Sequence, residues 1–300
     1  MNKLGVHALV WTADWDRNGA AMAIGKSAEL GFDLIEMPAL DPGAIDTDHT
    51  RRCLDEAGIG ITMSLGLDAE TDISSGDPGK VKRGEERLTL ALTVARDVGA
   101  THVCGILYSA LQKYFEPPKP SGVSEAIDVL SRICEEAAKS SITLGLEVVN
   151  RYETNVLNTA AQAVEMCKRI DAPNAKIHLD TYHMHIEEAG QAEAIRQAGD
   201  HLGYFHIGES HRGYLGTGSV DFESAFRTLV SIGYDGPITF ESFSSVVTGQ
   251  PLTGILAIWR NLWDEGEDLA RHALEYTRAG MESAHEARAI RSGFDFGEVV

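Results

Sequence analysis

The sequence predicts a single (β/α)8 barrel, an α/β fold in one domain. Three observations carry that prediction. Eight strand-like apolar runs alternate with helix-patterned stretches, and no linker-like segment interrupts them. The chain has 300 residues, about the size of one such barrel and long for a sandwich. In the second half, four consecutive runs each stop on a carboxylate or an imidazole: ITLGLE at Glu147, AKIHLD at Asp180, GYFH at His206 and PITFE at Glu241. Alternation by itself also fits an open doubly wound sheet. The count of eight and the repeated polar strand end favour closure, because the C-terminal strand ends of a closed barrel meet around one mouth.

The elements follow in order. Leu4–Trp11 reads as the first strand, with a helix to about Leu30 stopped by Gly31. Asp33–Met37 is a short second strand ended by Pro38, and Asp46–Ala57 is helical with Gly58 behind it. Ile59–Leu65 is the third strand. A polar loop, Asp68–Gly84, leads to a helix over Glu85–Val98, whose Leu88, Leu92 and Ala95 share one face. His102–Leu107 is the fourth strand, followed by a long loop to about Gly122 carrying Tyr108, Tyr114 and Phe115. A loop of that length on a barrel is a lid or an interface candidate. Ser124–Lys139 is amphipathic. Helices over Thr159–Ile170, up to about Gly199, over Phe222–Ile232, Pro251–Arg260 and Glu265–Ala279 complete the alternation. The tail from about Ala287 has little periodicity and is expected to be disordered or packed on a partner.

Composition narrows the function. A formal net charge of -19 speaks against a nucleic-acid binder, which presents a basic face. No apolar segment follows Met1 and no run approaches a membrane span, so a soluble, cytoplasmic protein without membrane contact is expected. The absence of GxGxxG between the first strand and its helix argues against a nucleotide cofactor. Cys53, Cys104, Cys134 and Cys167 are scattered without a CxxC pair and read as buried free thiols.

The four strand-end residues define the chemistry. A lone buried carboxylate is costly, so four polar ends at matched positions suggest one shared site. Two Glu, one Asp and one His form an oxygen-rich set that suits Mn²⁺, Mg²⁺ or Co²⁺ better than a thiolate zinc site. A divalent ion on vicinal sugar oxygens would polarise a carbonyl and stabilise an enediolate. Glu147 and Glu241, from different strands, would then exchange a proton on opposite faces of the neighbouring carbon. Arg151 and Glu153 follow the fifth strand, His183 and His185 follow Asp180, and Glu209, His211 and Arg212 follow His206. Singly, each also reads as a solvated loop group. His7, Trp11 and Trp15 lie at the first strand, where a Trp either stacks on a sugar or simply packs. Glu36 ends the second strand and either joins the site or binds a backbone amide.

The segments EVVNRYE (Glu147–Glu153), LDTYHMHIEE (Leu179–Glu188), FHIGESHR (Phe205–Arg212) and FESF (Phe240–Phe243) together resemble the ketose 3-epimerase family of xylose-isomerase-like barrels, the D-tagatose, D-allulose and L-ribulose 3-epimerases. The resemblance runs from the LVW segment to IWRNLW at Ile258–Trp263. HIGESHRGYLGTGSVDF is closer to the L-ribulose and D-allulose branch. It implies that Glu147, Asp180, His206 and Glu241 hold one Mn²⁺-like ion per subunit, and that Glu147 and Glu241 are also the acid/base pair. Glu153, His183 and Arg212 would hold the O1–O3 end of a free ketose. The far end would meet the first and third strands, at His7 and Trp11 and at Gly66 and Leu67, where some members place a cysteine that this chain lacks. The family forms dimers or tetramers, with Tyr108–Pro120 as the interface candidate here. An aldose–ketose isomerase or sugar dehydratase on the same scaffold, a phosphorylated substrate, and a non-catalytic sugar-binding barrel remain the alternatives.

Overall fold

The computed structural model describes residues 2–293. Eight parallel strands hydrogen-bond in sequence order: β1 (Leu4–His7), β2 (Leu34–Pro38), β3 (Gly60–Ser64), β4 (His102–Gly105), β5 (Thr143–Val148), β6 (Ala175–Asp180), β7 (Leu202–Ile207) and β8 (Ile238–Phe240). β8 pairs back onto β1, with Val6 opposite Phe240, and closes the barrel. The expected fold class is therefore the observed one.

Because strand side chains alternate in direction, each strand divides its residues between two environments. Val6, Ile35, Met63, Val103, Leu146, Ile177, Leu179, Phe205 and Ile207 belong to the apolar core under the surrounding helices. The alternate positions His7, Glu36, Thr62, Ser64, Glu147, His178, Asp180, Tyr204, His206 and Thr239 carry polar groups that meet one another inside the barrel.

The ring of helices comprises α1 (Arg17–Leu30), α2 (Thr47–Ala57), α3 (Pro78–Val98), α4 (Pro120–Ala138), α5 (Ala160–Ile170), α6 (Thr181–Glu187), α7 (Gln191–Ala198), α8 (Phe222–Ile232), the single turns α9 (Ser245–Thr248) and α10 (Leu252–Ile255), and α11 (Gly266–Gly293). Boundaries depart from expectation where a local hydrogen bond intervenes. The first strand stops at His7, because its Nδ1 accepts the Leu9 N–H and starts a one-turn 3-10 helix over Ala8–Val10. α3 begins a full two turns before Glu85, since Asp77 caps the Gly79 and Lys80 amides and Pro78 occupies the first turn. The stretch expected as one helix over Pro251–Arg260 is a single turn ended near Ala257, whose φ of 53° is left-handed. Cys104, Cys134 and Cys167 are buried and Cys53 half-buried, and all four are free. α11 carries the tail on to Gly293; the rest of the expected tail, 294–300, lies outside the described residues. Among the described residues no helix is long and apolar enough to cross a membrane.

Candidate active site

The parallel register brings the strand-end residues together. Glu147 lies beside His178, Asp180 beside His206, and His206 beside Thr239, two positions short of Glu241. Glu147, Asp180, His206 and Glu241 each offer a ligand atom, and those atoms all lie within 4.8 Å of one another. Glu147, His178 and His206 form a second, overlapping set.

Whether these residues fit a cation is decided at His206. Its Nε2 is 2.7 Å from Glu36 Oε2. Its Nδ1 points toward Glu241 Oε2 at 3.5 Å and has no hydrogen-bond partner among the described residues. A fully buried ring nitrogen facing carboxylates without a partner is a position that a cation satisfies. The donors fit a divalent ion of the oxygen-preferring kind.

The arginine of the set is also charge-matched. Arg212 Nη1 is 2.8 Å from both Asp180 Oδ2 and Glu241 Oε2. Its guanidinium carbon sits 4.0 Å from the Tyr182 ring centroid and 5.0 Å from that of Phe243. Gly208 leaves room for it: a Cβ there would lie 2.7 Å from Arg212 Nη1.

Two buried carboxylates so close together cannot share one ionisation behaviour. Burial, and then the neighbouring Glu241 charge, push Glu147 well above the usual carboxylate range. Burial also disfavours the Glu241 charge, but Arg212 and His206 overcome it and hold Glu241 well below that range. Without a bound ion the two carboxylates therefore differ in proton affinity, Glu147 holding a proton more readily than Glu241. Burial lowers His183 to about 4. The Asn150 backbone N–H donates to His183 Nδ1 at 3.1 Å, and His183 Nε2 lies 3.4 Å from Arg212 Nη2 and 3.8 Å from Glu147 Oε1 and Asp180 Oδ2. Asn150 also donates its side-chain amide to Glu153 Oε1 at 2.7 Å.

A family model described as "Xylose isomerase-like TIM barrel" matches residues 24–280. A ketose 3-epimerase of Arthrobacter globiformis is 49% identical over 276 residues, 92% of this chain and 96% of its own length. An L-ribulose 3-epimerase of Methylomonas sp. (strain DH-1) is 48% identical over 274 residues, 91% of this chain and 96% of its own. The chain belongs to the ketose 3-epimerases, within the xylose isomerase-like barrels. The crystal structure of a D-allulose 3-epimerase from Methylomonas sp. in complex with D-allulose has a TM-score of 0.91 at 47% identity, covering 93% of this chain and 96% of that one. This protein is accordingly an isomerase, an epimerase of ketoses at C3.

The epimerase's cavity opens above the carboxylate cluster. His7, Gly66, Glu147, Glu153, His183, Arg212 and Glu241 all line it. Trp11 and Leu67 do not. Trp11 turns into the layer beneath α1, where its Nε1 donates to Ser27 Oγ at 3.0 Å, and Leu67 is buried in the core with 1% exposure. Trp15 likewise donates to Thr50 Oγ1 and packs against the core. Sequence reasoning missed three contributors. Ser64 meets His7 Nε2 at 3.0 Å on the cavity wall. Asn150 lies inside the quoted EVVNRYE segment without any signal separating it from a loop residue. The segment Leu252–Leu262 lines the cavity with Leu252, Leu256, Ile258 and Trp259, a role that reading Pro251–Arg260 as one of the outer helices did not suggest.

Proposed function

We propose that this protein is a metal-dependent ketose 3-epimerase that acts on free ketoses, with one divalent ion per subunit held by Glu147, Asp180, His206 and Glu241. The observation that carries the reading is the four-donor cluster with an unpartnered His206 Nδ1 inside it. When bound, the ion polarises the ketose carbonyl and stabilises the charge of the enediolate; Mn²⁺ is the first choice, ahead of Mg²⁺ and Co²⁺. The rest of the work falls to this chain's side chains. Glu241, held ionised by Arg212, removes the C3 proton from one face. Glu147, from a different strand, serves as the paired acid and delivers a proton to the other face, and C3 is inverted. The roles exchange in the reverse direction. The His183 ring and the Arg212 guanidinium steady the O1–O3 oxygens, and Glu153 accepts from a substrate hydroxyl. His7 and Gly66 face the distal end of the sugar.

D-fructose/D-allulose and L-ribulose/L-xylulose are the proposed pairs. Free sugars rank above phosphorylated ones because the relatives are L-ribulose and D-allulose 3-epimerases. We place the protein in the cytoplasm as a homodimer or homotetramer. Support for self-association comes from the Tyr108–Pro120 loop. Tyr108 is buried, but Phe115 is 90% and Tyr152 59% exposed, with Lys113 Nζ 5.8 Å and 6.0 Å from their ring centroids. Size-exclusion chromatography with light scattering on Phe115→Glu tests it; an unchanged mass removes that loop from the interface.

The deciding experiment follows proton exchange by NMR. The Mn²⁺-loaded protein is incubated with D-fructose in D₂O, then freed of the ion. Deuterium at C3 together with D-allulose is the expected outcome. Exchange at C1 instead would assign an aldose–ketose isomerase. No exchange across several ketoses, with the sugar nonetheless bound, would assign a binding barrel.

A further inference from the structure

Glu36 is fully buried in the middle of the barrel, and nothing in the proposed reaction uses it. A carboxylate there must be compensated by hydrogen bonds. Its compensation is directional. Tyr204 has one phenolic proton, and its OH donates to Glu36 Oε2 at 2.7 Å. The hydroxyls of Thr62 and Thr239, each 2.7 Å from the same phenolic oxygen, must then donate to it. The four groups come from β2, β3, β7 and β8, so the carboxylate is fixed from across the barrel. Glu36 Oε2 also takes His206 Nε2 at 2.7 Å. An acceptor at Nε2 keeps a proton on that nitrogen, so the neutral ring has its lone pair on Nδ1, facing the carboxylate cluster. The second oxygen, Oε1, has no hydrogen-bond partner among the described residues and lies 3.6 Å from His7 Nε2, on the cavity wall.

We infer that Glu36 is a positioning residue for the cation site. Through Nε2 it sets the tautomer and orientation of His206 so that Nδ1 is the ligand atom, and Tyr204, Thr62 and Thr239 hold Glu36 for that purpose. The inference rests on the proposed reading of His206 as a metal ligand. A buried carboxylate behind a ligating histidine fixes the ring and raises its basicity, and its loss typically weakens metal binding about 10–100-fold.

The test measures binding of Mn²⁺ alone, by calorimetry in a chelator-free buffer, to the wild-type chain, to Glu36→Gln and to His206→Asn. Expected are one Mn²⁺ per wild-type chain, roughly 10–100-fold weaker binding by Glu36→Gln, and a larger loss in His206→Asn. In Glu36→Gln, kcat should largely return at saturating Mn²⁺, which a merely structural lesion would not allow. Wild-type affinity in Glu36→Gln beside a loss in His206→Asn would overturn the role of Glu36 and leave the metal reading intact. No saturable Mn²⁺ binding by the wild-type chain would overturn the metal reading itself. Should Glu36→Gln fail to fold, a crystal structure of the Mn²⁺-loaded wild type decides. An ion on His206 Nδ1 with Glu36 on Nε2 supports the inference, and an ion on Nε2 overturns it.

Discussion

Arg212→Met in the metal-free protein removes one charge from a buried cluster and leaves two carboxylates facing each other. Asp180 and Glu241 have side chains 0% and 9% exposed, and each meets Arg212 Nη1 at 2.8 Å. Met keeps most of the apolar stem between Tyr182 and Phe243, so packing changes little. The loss is electrostatic. Removing one partner of a buried ion pair costs about 3–5 kcal/mol, consistent with a Coulomb term of about 4 kcal/mol for a pair 4 Å apart at an effective dielectric of about 20. At about 1.6 °C per kcal/mol for a chain of 300 residues, the melting temperature should fall by roughly 5–8 °C. The assay is differential scanning calorimetry of both proteins, in chelator and in excess Mn²⁺. In excess Mn²⁺ the deficit should shrink by more than half, because the ion restores positive charge between the same carboxylates. Equal deficits under the two conditions, or a deficit below about 2 °C in chelator, would refute the argument that Arg212 and a cation neutralise the same acidic pair.

Glu147→Gln should abolish epimerisation yet stabilise the metal-free protein at neutral pH. The folded-state pKa of Glu147 lies well above its ordinary 4.5, so wild-type stability falls as pH rises from about 4.5 through that raised value. The variant lacks this loss, and the gap between the two melting curves should close as pH drops toward 4.5; a gap independent of pH would refute the assignment. Trp11→Phe deletes the bond to Ser27, shrinks a buried core ring and alters its contact with Lys26, and should cost at least about 1 kcal/mol in denaturant unfolding with KM for ketose unchanged; a several-fold rise in KM would return Trp11 to the sugar site. Gly105→Ala should destabilise by at least about 2 kcal/mol or prevent folding, because Gly105 has φ +112° and its Cβ would lie 2.3 Å from the Leu65 carbonyl oxygen. An unchanged urea midpoint would show that the β3–β4 rim yields more easily than its geometry implies.

The acidic cluster was legible in the sequence for a physical reason. A strand's side-chain direction is fixed by parity, and a parallel barrel stacks its strand ends at one rim. Four apolar runs ending on Glu147, Asp180, His206 and Glu241 therefore had to aim those groups at one place if the sheet closed. Trp11 and Leu67 show where that logic stops. The first strand ends at His7 rather than continuing to Trp11, so period-two counting no longer applies, and a 3-10 turn carries the indole to Ser27. Leu67 lies past the end of β3, in the isolated bridge to Ala110, where parity again sets nothing.

What the sequence determined by itself was the fold class, the order of its units and the identity of the four converging donors, because apolar periodicity and strand-end position are local properties. Tertiary structure alone decided how those donors are prepared. Glu36 reaches His206 across 170 positions of chain and Tyr204 across 168. Asn150 orders His183 through its backbone amide, a contact that any residue but proline at that position could supply. Arg212 finds Asp180 and Glu241 from a left-handed backbone position, φ 62°. Each of these depends on distances between strands, which exist only once the barrel has closed.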